Sequence, residues 1–205
     1  MKIYGVRMTN NIRDKNTSDN VHLYLAIKRK KENPDMKSHK EELCFRQVVY
    51  DEEEDLDILK FRISKFPGVW RIYKTVNARS VEKAKKVMFK WLIDGLYQHY
   101  RFDTLWKKAL LQRECRAEKK ALVDVDTNNV EKIDSVIFTI LRWFRNKDNY
   151  PYKISDLMDV IETPNGFHII CKPFDKRILN DFDYACVDYD RFVFIEKLKI
   201  ENDAR

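Results

Sequence analysis

Apolar and polar residues alternate over some stretches of this chain and recur at helical spacing over others, and the two patterns interleave. In NVHLYLAIKRKK, Val21, Leu23 and Leu25 alternate with His22, Tyr24 and Ala26, which predicts a strand; ENPDMKSHKEE after it reads as a loop. LCFRQVVYD predicts a second strand, and DEEEDLD, residues 51–57, the start of a short helix whose early acids suit the dipole. In GVWRIYKTVN, Val69, Arg71, Tyr73 and Thr75 alternate with Trp70, Ile72, Lys74 and Val76, a third strand. ARSVEKAKKVMFKWLIDGL follows as a helix with Ser80 as N-cap and an apolar stripe of Ala84, Val87, Met88, Trp91 and Leu92. FDTLWKKALLQ is another helix, capped by Asp103 or Thr104, and KALVDVDT a further strand. A strong amphipathic helix then carries Ile133, Val136, Ile137, Ile140, Leu141 and Phe144, with Arg142, Arg145 and Lys147 on its far face. A turn at Pro164–Gly166 leads to a strand from Phe167 to Cys171, and YACVDYD with RFVFIEKLKI reads as a strand pair or one bent strand. Interleaved strands and helices predict a mixed α/β domain.

Composition narrows the class. Hydrophobic residues form 44% of 205, enough for a core, and four glycines with five prolines argue for one continuous body over 1–205. The net charge of +7 suits a polyanion such as nucleic acid or nucleotide phosphate, although a charge-rich soluble surface is the plainer alternative. Cys44, Cys115, Cys171 and Cys186 are scattered without a CxxC, which fits reduced thiols in an intracellular, cytoplasmic protein. No apolar leader begins the sequence, and no run reaches the roughly 18 apolar residues of a membrane-spanning helix. P-loop, GxSxG, HExxH and Rossmann fingerprints are absent, as is an H-x-H pair.

The chemistry concentrates in ALVDVDT. Residues two apart on a strand share a face, so Asp124 and Asp126 point to one side while Val123 and Val125 pack on the other. Two carboxylates that close repel unless a cation sits with them, and Mg2+ or Mn2+ takes oxygen donors of this kind. The alternative is a strand running into a turn, with Asp126-Thr127-Asn128-Asn129 capping the next helix. His168, after a Pro-Asn-Gly turn, can donate to a phosphate oxygen or be a satisfied half-buried histidine. Asp188 and Asp190 alternate in CVDYDRFVFI, and either can complete a three-carboxylate site.

LVDVD, NGFH and CVD, in that order, resemble the h-h-D-x-D/E, S-x-H or G-x-H, and h-D motifs of the archaeo-eukaryotic primase superfamily, in particular its primase-polymerase domains. WRIYKTVNARS is similar to the strand ahead of that family's metal-binding aspartates, and RAEKKALVDVD to the basic lead-in to them, so the resemblance covers about residues 69–195. It implies an α+β fold, an RRM-like mixed or antiparallel sheet with flanking helices. Beside it would lie an N-terminal α/β module (1–68 against a catalytic core of 69–205), with the active site in the cleft between. Asp124, Asp126 and Asp188 would ligate Mg2+ or Mn2+, with Asp190 as substitute for the third acid. His168, Asn77 and Arg79 would face the nucleotide. The sequence departs from the family pattern at Gly166, where the serine of S-x-H is missing, and lacks the zinc-binding insertion and any attached helicase or ligase region.

The implied reaction is template-directed nucleotidyl transfer from an NTP or dNTP on a DNA or RNA template, with a replication protein as a candidate partner. Lys172 and Arg177 are further triphosphate-binding candidates, and Lys28, Arg29, Lys30, Lys31, Arg142 and Arg145 candidates for the template backbone. Two readings compete with it. One is a catalytically degenerate nucleotide- or nucleic-acid-binding accessory protein of a phage, other virus or mobile element. The other is a metal-dependent nuclease using the same acids.

Overall fold

In the computed structural model of the chain, residues 19–95, 101–148 and 158–201 are described. Their strands are β1 (Asn20–Lys28), β2 (Leu43–Val49), β3 (Gly68–Thr75), β4 (Arg79–Ser80), β5 (Ala121–Val125), β6 (Met158–Thr163), β7 (Gly166–Cys171), β8 (Ala185–Asp188) and β9 (Phe192–Ile200). The helices are α1 (Glu52–Ile63), α2 (Val81–Ile93), α3 (Phe102–Leu110) and α4 (Val130–Asp148). The fold is α+β with antiparallel sheets. The first 18 residues of the expected N-terminal module lie outside the described residues.

The backbone divides into two compact units, and the break falls between 118 and 119 instead of at 68/69. The correction comes from β3, the expected first strand of the catalytic core. It pairs antiparallel with β1, Leu25 opposite Tyr73 and Ile27 opposite Arg71, and so belongs with the N-terminal residues.

The unit holding 19–118 and 194–201 contains a sheet of order β2-β1-β3-β9, with β4 paired to the start of β1. Tyr24, Ala26, Val49, Leu59, Ile63, Trp70 and Ile72 form a core in which α1 contributes Leu59 and Ile63. The acidic run is consumed locally. Asp51 caps α1 by accepting from the N–H groups of Glu53 and Glu54 at 3.0 Å, and Glu52 pairs with buried Lys74. The buried Asp55 carboxylate accepts from the backbone N–H groups of Tyr50 and Asp51. Gly68 begins β3 at φ +129°, a conformation that favours glycine, with Asn33 Oδ1 only 2.5 Å from where a Cβ would stand. Asn33 accepts there from Val69 N–H at 2.7 Å and donates to the carbonyls of Arg29 and Val69.

Two details of the helix reading change. Ser80 does cap α2, accepting from Lys83 N–H, but α3 starts after Arg101, and Asp103 lies inside its first turn, paired with Lys107. The stripe on α2 is partly exposed: Ala84 and Met88 are buried, whereas Leu92 faces solvent.

The unit holding 119–193 carries the acids. Its sheet has the order β6-β7-β5-β8, with every neighbouring pair antiparallel. β5 and β6 are therefore parallel to each other and separated by β7, the split β-α-β arrangement of ferredoxin-like and RRM-like sheets. A single 3-10 turn, Lys176–Leu179, stands before β8 where such folds place a second helix. The α4 residues Ile133, Val136, Ile137, Ile140 and Phe144 are buried against Ala121, Val123, Val125, Phe167 and Ile169 in one core.

Strand β6 escaped the pattern reading, because Asp159 and Glu162 interrupt its apolar residues. β8 and β9 are separate strands that do not pair together: β8 pairs with β5, and β9 joins the other sheet beside β3.

Candidate active site

The two faces of the β6-β7-β5-β8 sheet differ in chemistry, as strand alternation requires. Val123, Val125, Phe167, Ile169, Ala185 and Val187 line the α4 side. The second face presents a transverse row of four directly opposed residues, Ile161, His168, Asp124 and Cys186. One step along, Asp188 lies opposite Leu122 and hence diagonal to Asp124 on the same face, within reach of long side chains.

This register depends on a close backbone approach. A Cβ on Gly166 would stand 1.9 Å from Val125 O and 2.8 Å from Thr127 N, so a residue with a side chain does not fit without moving β5. The departure from S-x-H thus has a steric cause in this chain: glycine is what allows the first residue of β7 to lie against the end of β5.

Asp124 is half-buried and faces two side chains, the His168 imidazole and the Arg191 guanidinium. His168 Nε2 lies 3.5 Å from its Oδ1, and Arg191 Nη1 lies 3.0 Å from its Oδ2. The His168 contact, assisted by Arg191 and opposed by partial burial, holds the Asp124 carboxyl below the usual aspartate range. The same guanidinium reaches Asp188, with Arg191 Nε 3.2 Å from Asp188 Oδ2. Asp188 Oδ1 also accepts from the N–H of Asp190 at 2.8 Å, which closes the bend after β8. Asp190 therefore lies in that bend, beyond the strand, and Asp188 is the acid that shares a cation with Asp124.

Asp126 stands apart from this arrangement. β5 ends at Val125, Asp126 N–H donates to Tyr184 O, and the exposed carboxylate has no hydrogen bond or ion pair among the described residues. The helix-cap alternative does not employ it either. Asn129 Oδ1 accepts from Lys132 N–H at the start of α4, and Thr127 Oγ1 from Asn129 N–H. The acids that converge are thus Asp124 and Asp188 from adjacent strands, not Asp124 and Asp126 from one.

The remaining candidates divide between the units. Lys172 is exposed just beyond β7. Arg177 is exposed and clamped on Asp175, with Nε 2.9 Å from both carboxylate oxygens, which pulls the Asp175 carboxyl down to about 2. Arg142 and Arg145 lie exposed on α4. Asn77 and Arg79 belong to the 19–118 unit and are fully buried, with Arg79 Nη1 directed at Gln112 O. The basic run is largely engaged within the same unit: Lys28 donates to Pro67 O, Arg29 lies over the Tyr73 ring and Lys30 donates to Lys37 O, leaving Lys31 exposed.

Sequence reasoning missed Arg191 and Cys186. The signal for Arg191 was its place directly after CVDYD, which puts a cation three residues beyond Asp188. Cys186 required the strand register. It is exposed, whereas Cys171 is buried and its thiol pushed up to about 12.

Among the described residues, no three His, Cys, Asp or Glu side chains gather closely enough to hold a metal. Two carboxylates from neighbouring strands, Asp124 and Asp188, meet one positive group, the Arg191 guanidinium. No helix of the described residues is long and apolar enough to cross a membrane. No family model, curated protein or solved structure matches the chain.

Proposed function

We propose that the protein is a metal-dependent nucleotidyltransferase of the primase-polymerase type, extending or initiating a strand on a DNA or RNA template. The observation that carries this reading is the placement of Asp124, His168 and Asp188 on one face of a split β-α-β sheet. Each comes from one of the three motifs that resemble that family, and each from a different strand.

Asp124 and Asp188 would be the oxygen donors offered to Mg2+ or Mn2+. Such an ion, when bound, would lower the pKa of the attacking hydroxyl and compensate charge at the leaving oxygens. His168 donates a ring N–H to an oxygen of the NTP or dNTP triphosphate, and Lys172 adds a cation next to β7. The hydroxyl attacks the α-phosphate and pyrophosphate leaves. Template contacts would be electrostatic and weaken with salt, and Arg142 and Arg145, exposed on α4, lie on the side of the sheet opposite Asp124 and His168.

The test is incorporation of labelled NTP or dNTP on a primed and an unprimed template with Mn2+, comparing wild type with Asp124→Asn. Metal-dependent product that the variant loses by about 100-fold or more is expected for a group in direct contact with the reacting centre. Equal signals from the two proteins would remove the enzyme reading. Gly166 in the family's serine position and Arg191 between the acids favour, as second reading, a binding protein without turnover. That protein would retain nucleotide or nucleic acid while showing no incorporation. Degradation of labelled DNA or RNA without NTPs would instead identify a nuclease.

A further inference from the structure

Helices α1 and α2 both carry large apolar side chains on the stripe turned away from their buried residues. On α1, Asp55, Leu59 and Ile63 are buried, and the opposite stripe holds Glu54, Asp57, Ile58 and Phe61 at helical spacing. Phe61 is 67% and Ile58 41% exposed, with Lys65 Nζ 5.1 Å from the centre of the Phe61 ring. On α2, Ala84 and Met88 are buried, and the outward stripe holds Phe89 and Ile93, 57% and 84% exposed. Helical geometry sets Lys85 on one side of that stripe and Lys86 and Lys90 on the other. A single exposed apolar residue is ordinary, but apolar pairs centred on the outward stripes of two helices mark interaction surfaces. Their rims have opposite sign. Among the described residues, the Glu54 and Asp57 carboxylates and the Lys85 and Lys90 ammonium groups join no ion pair or side-chain hydrogen bond, while Lys86 pairs with Glu82 on the surface.

We infer that the protein self-associates, with the acidic and apolar outward stripe of α1 in one protomer docked on the basic and apolar outward stripe of α2 in a second copy. Charge complementarity selects this occupant. Two α2 stripes would bring lysines together and two α1 stripes carboxylates, both unfavourable, whereas α1 against α2 sets opposite charges around Phe61, Phe89 and Ile93. Apolar anchors three and four residues apart are the spacing with which one helix lies along another. Both stripes belong to the unit holding 19–118, so every copy carries the two halves of the contact. A nucleic-acid strand would satisfy the lysines but give Ile93, the most exposed of these side chains, no apolar counterpart. The apolar anchors set the affinity and the exposed rim charges add modestly, so the association is weak, reversible and reduced by salt. It is independent of the chemistry at Asp124 and His168.

Sedimentation velocity of the full chain over a concentration series, without nucleotide or nucleic acid, tests this. Wild type is expected to sediment faster as concentration rises. Phe61→Ala and Ile93→Ala are each expected to weaken association by about fivefold or more, the scale of truncating an interface anchor. Glu54→Lys with Asp57→Lys on α1, and Lys85→Glu with Lys90→Glu on α2, should each weaken it, and the protein carrying all four reversals should recover association. Thermal melts establish that each variant is folded. A wild type that stays monomeric across the series overturns the inference. So does association that folded Phe61→Ala and Ile93→Ala leave unchanged, or that the four combined reversals fail to recover. A monomer whose Lys85→Glu and Lys90→Glu variant loses binding to labelled single-stranded DNA also overturns it and gives the α2 stripe to nucleic acid.

Discussion

Gly166→Ser restores the residue that the resembling motif carries, and it is expected to damage this protein. The added Cβ would lie 1.9 Å from Val125 O, 2.8 Å from Thr127 N and 3.0 Å from Val125 C. All three are backbone atoms at the end of β5 and the turn after it, so no rotamer change relieves the contact. Optimal separation between non-bonded carbon atoms is about 3.5–4.0 Å, which requires the strands to part by on the order of 1 Å. Overpacking of this kind costs about 1–3 kcal/mol and occasionally more. For a chain of this length each 1 kcal/mol lowers Tm by about 2–4 °C, so a drop of roughly 2–12 °C is expected. Urea unfolding and thermal melts of wild type, Gly166→Ala and Gly166→Ser measure it. The two variants should fall together, because the clash is at Cβ and not at the hydroxyl. His168, two residues along β7, moves with the shifted strand relative to Asp124, so incorporation activity should fall in both. A Gly166→Ser protein with unchanged midpoint and slope, or with raised activity, would refute the steric argument and return the serine to the list of missing catalytic parts.

Other expectations follow from contacts elsewhere in the fold. The Asp124 carboxyl is depressed by His168 and Arg191, so the stability it contributes is full above the ordinary aspartate value, about 3.9, and is lost as pH falls through the lower folded-state value. In metal-free protein Asp124→Asn should therefore flatten the decline of stability on acidification through that window; superimposable wild-type and variant curves would contradict the pairing. Asn33→Ala removes three hydrogen bonds around Gly68 and leaves the Val69 N–H without its side-chain acceptor. A loss of about 1–3 kcal/mol in denaturant unfolding is expected, and a change under about 0.5 kcal/mol would show that the plug is not needed.

Local pattern alone determined where most elements lie. The helical spacing of Ile133, Val136, Ile137, Ile140 and Phe144 and the alternation of Val123, Asp124 and Val125 each report a neighbour relation within a few residues, which the chain carries wherever it folds. The fold class followed from their order, and Asp124, His168 and Asp188 were legible as chemistry-bearing residues set in short motifs. Strand partnership is different, because it depends on hydrogen bonds between residues far apart in sequence. Tertiary structure alone decided that β3 belongs with β1, that β8 and β9 enter different sheets, and that β6 exists at all. It also decided which acids meet. Asp126, two residues from Asp124, ends beyond the ladder, while Asp188, 64 positions away in the chain, arrives diagonal to Asp124 because β8 pairs with β5 in that register. Arg191 took its place for the same reason: a cation finds two carboxylates only after the sheet has brought them to one face.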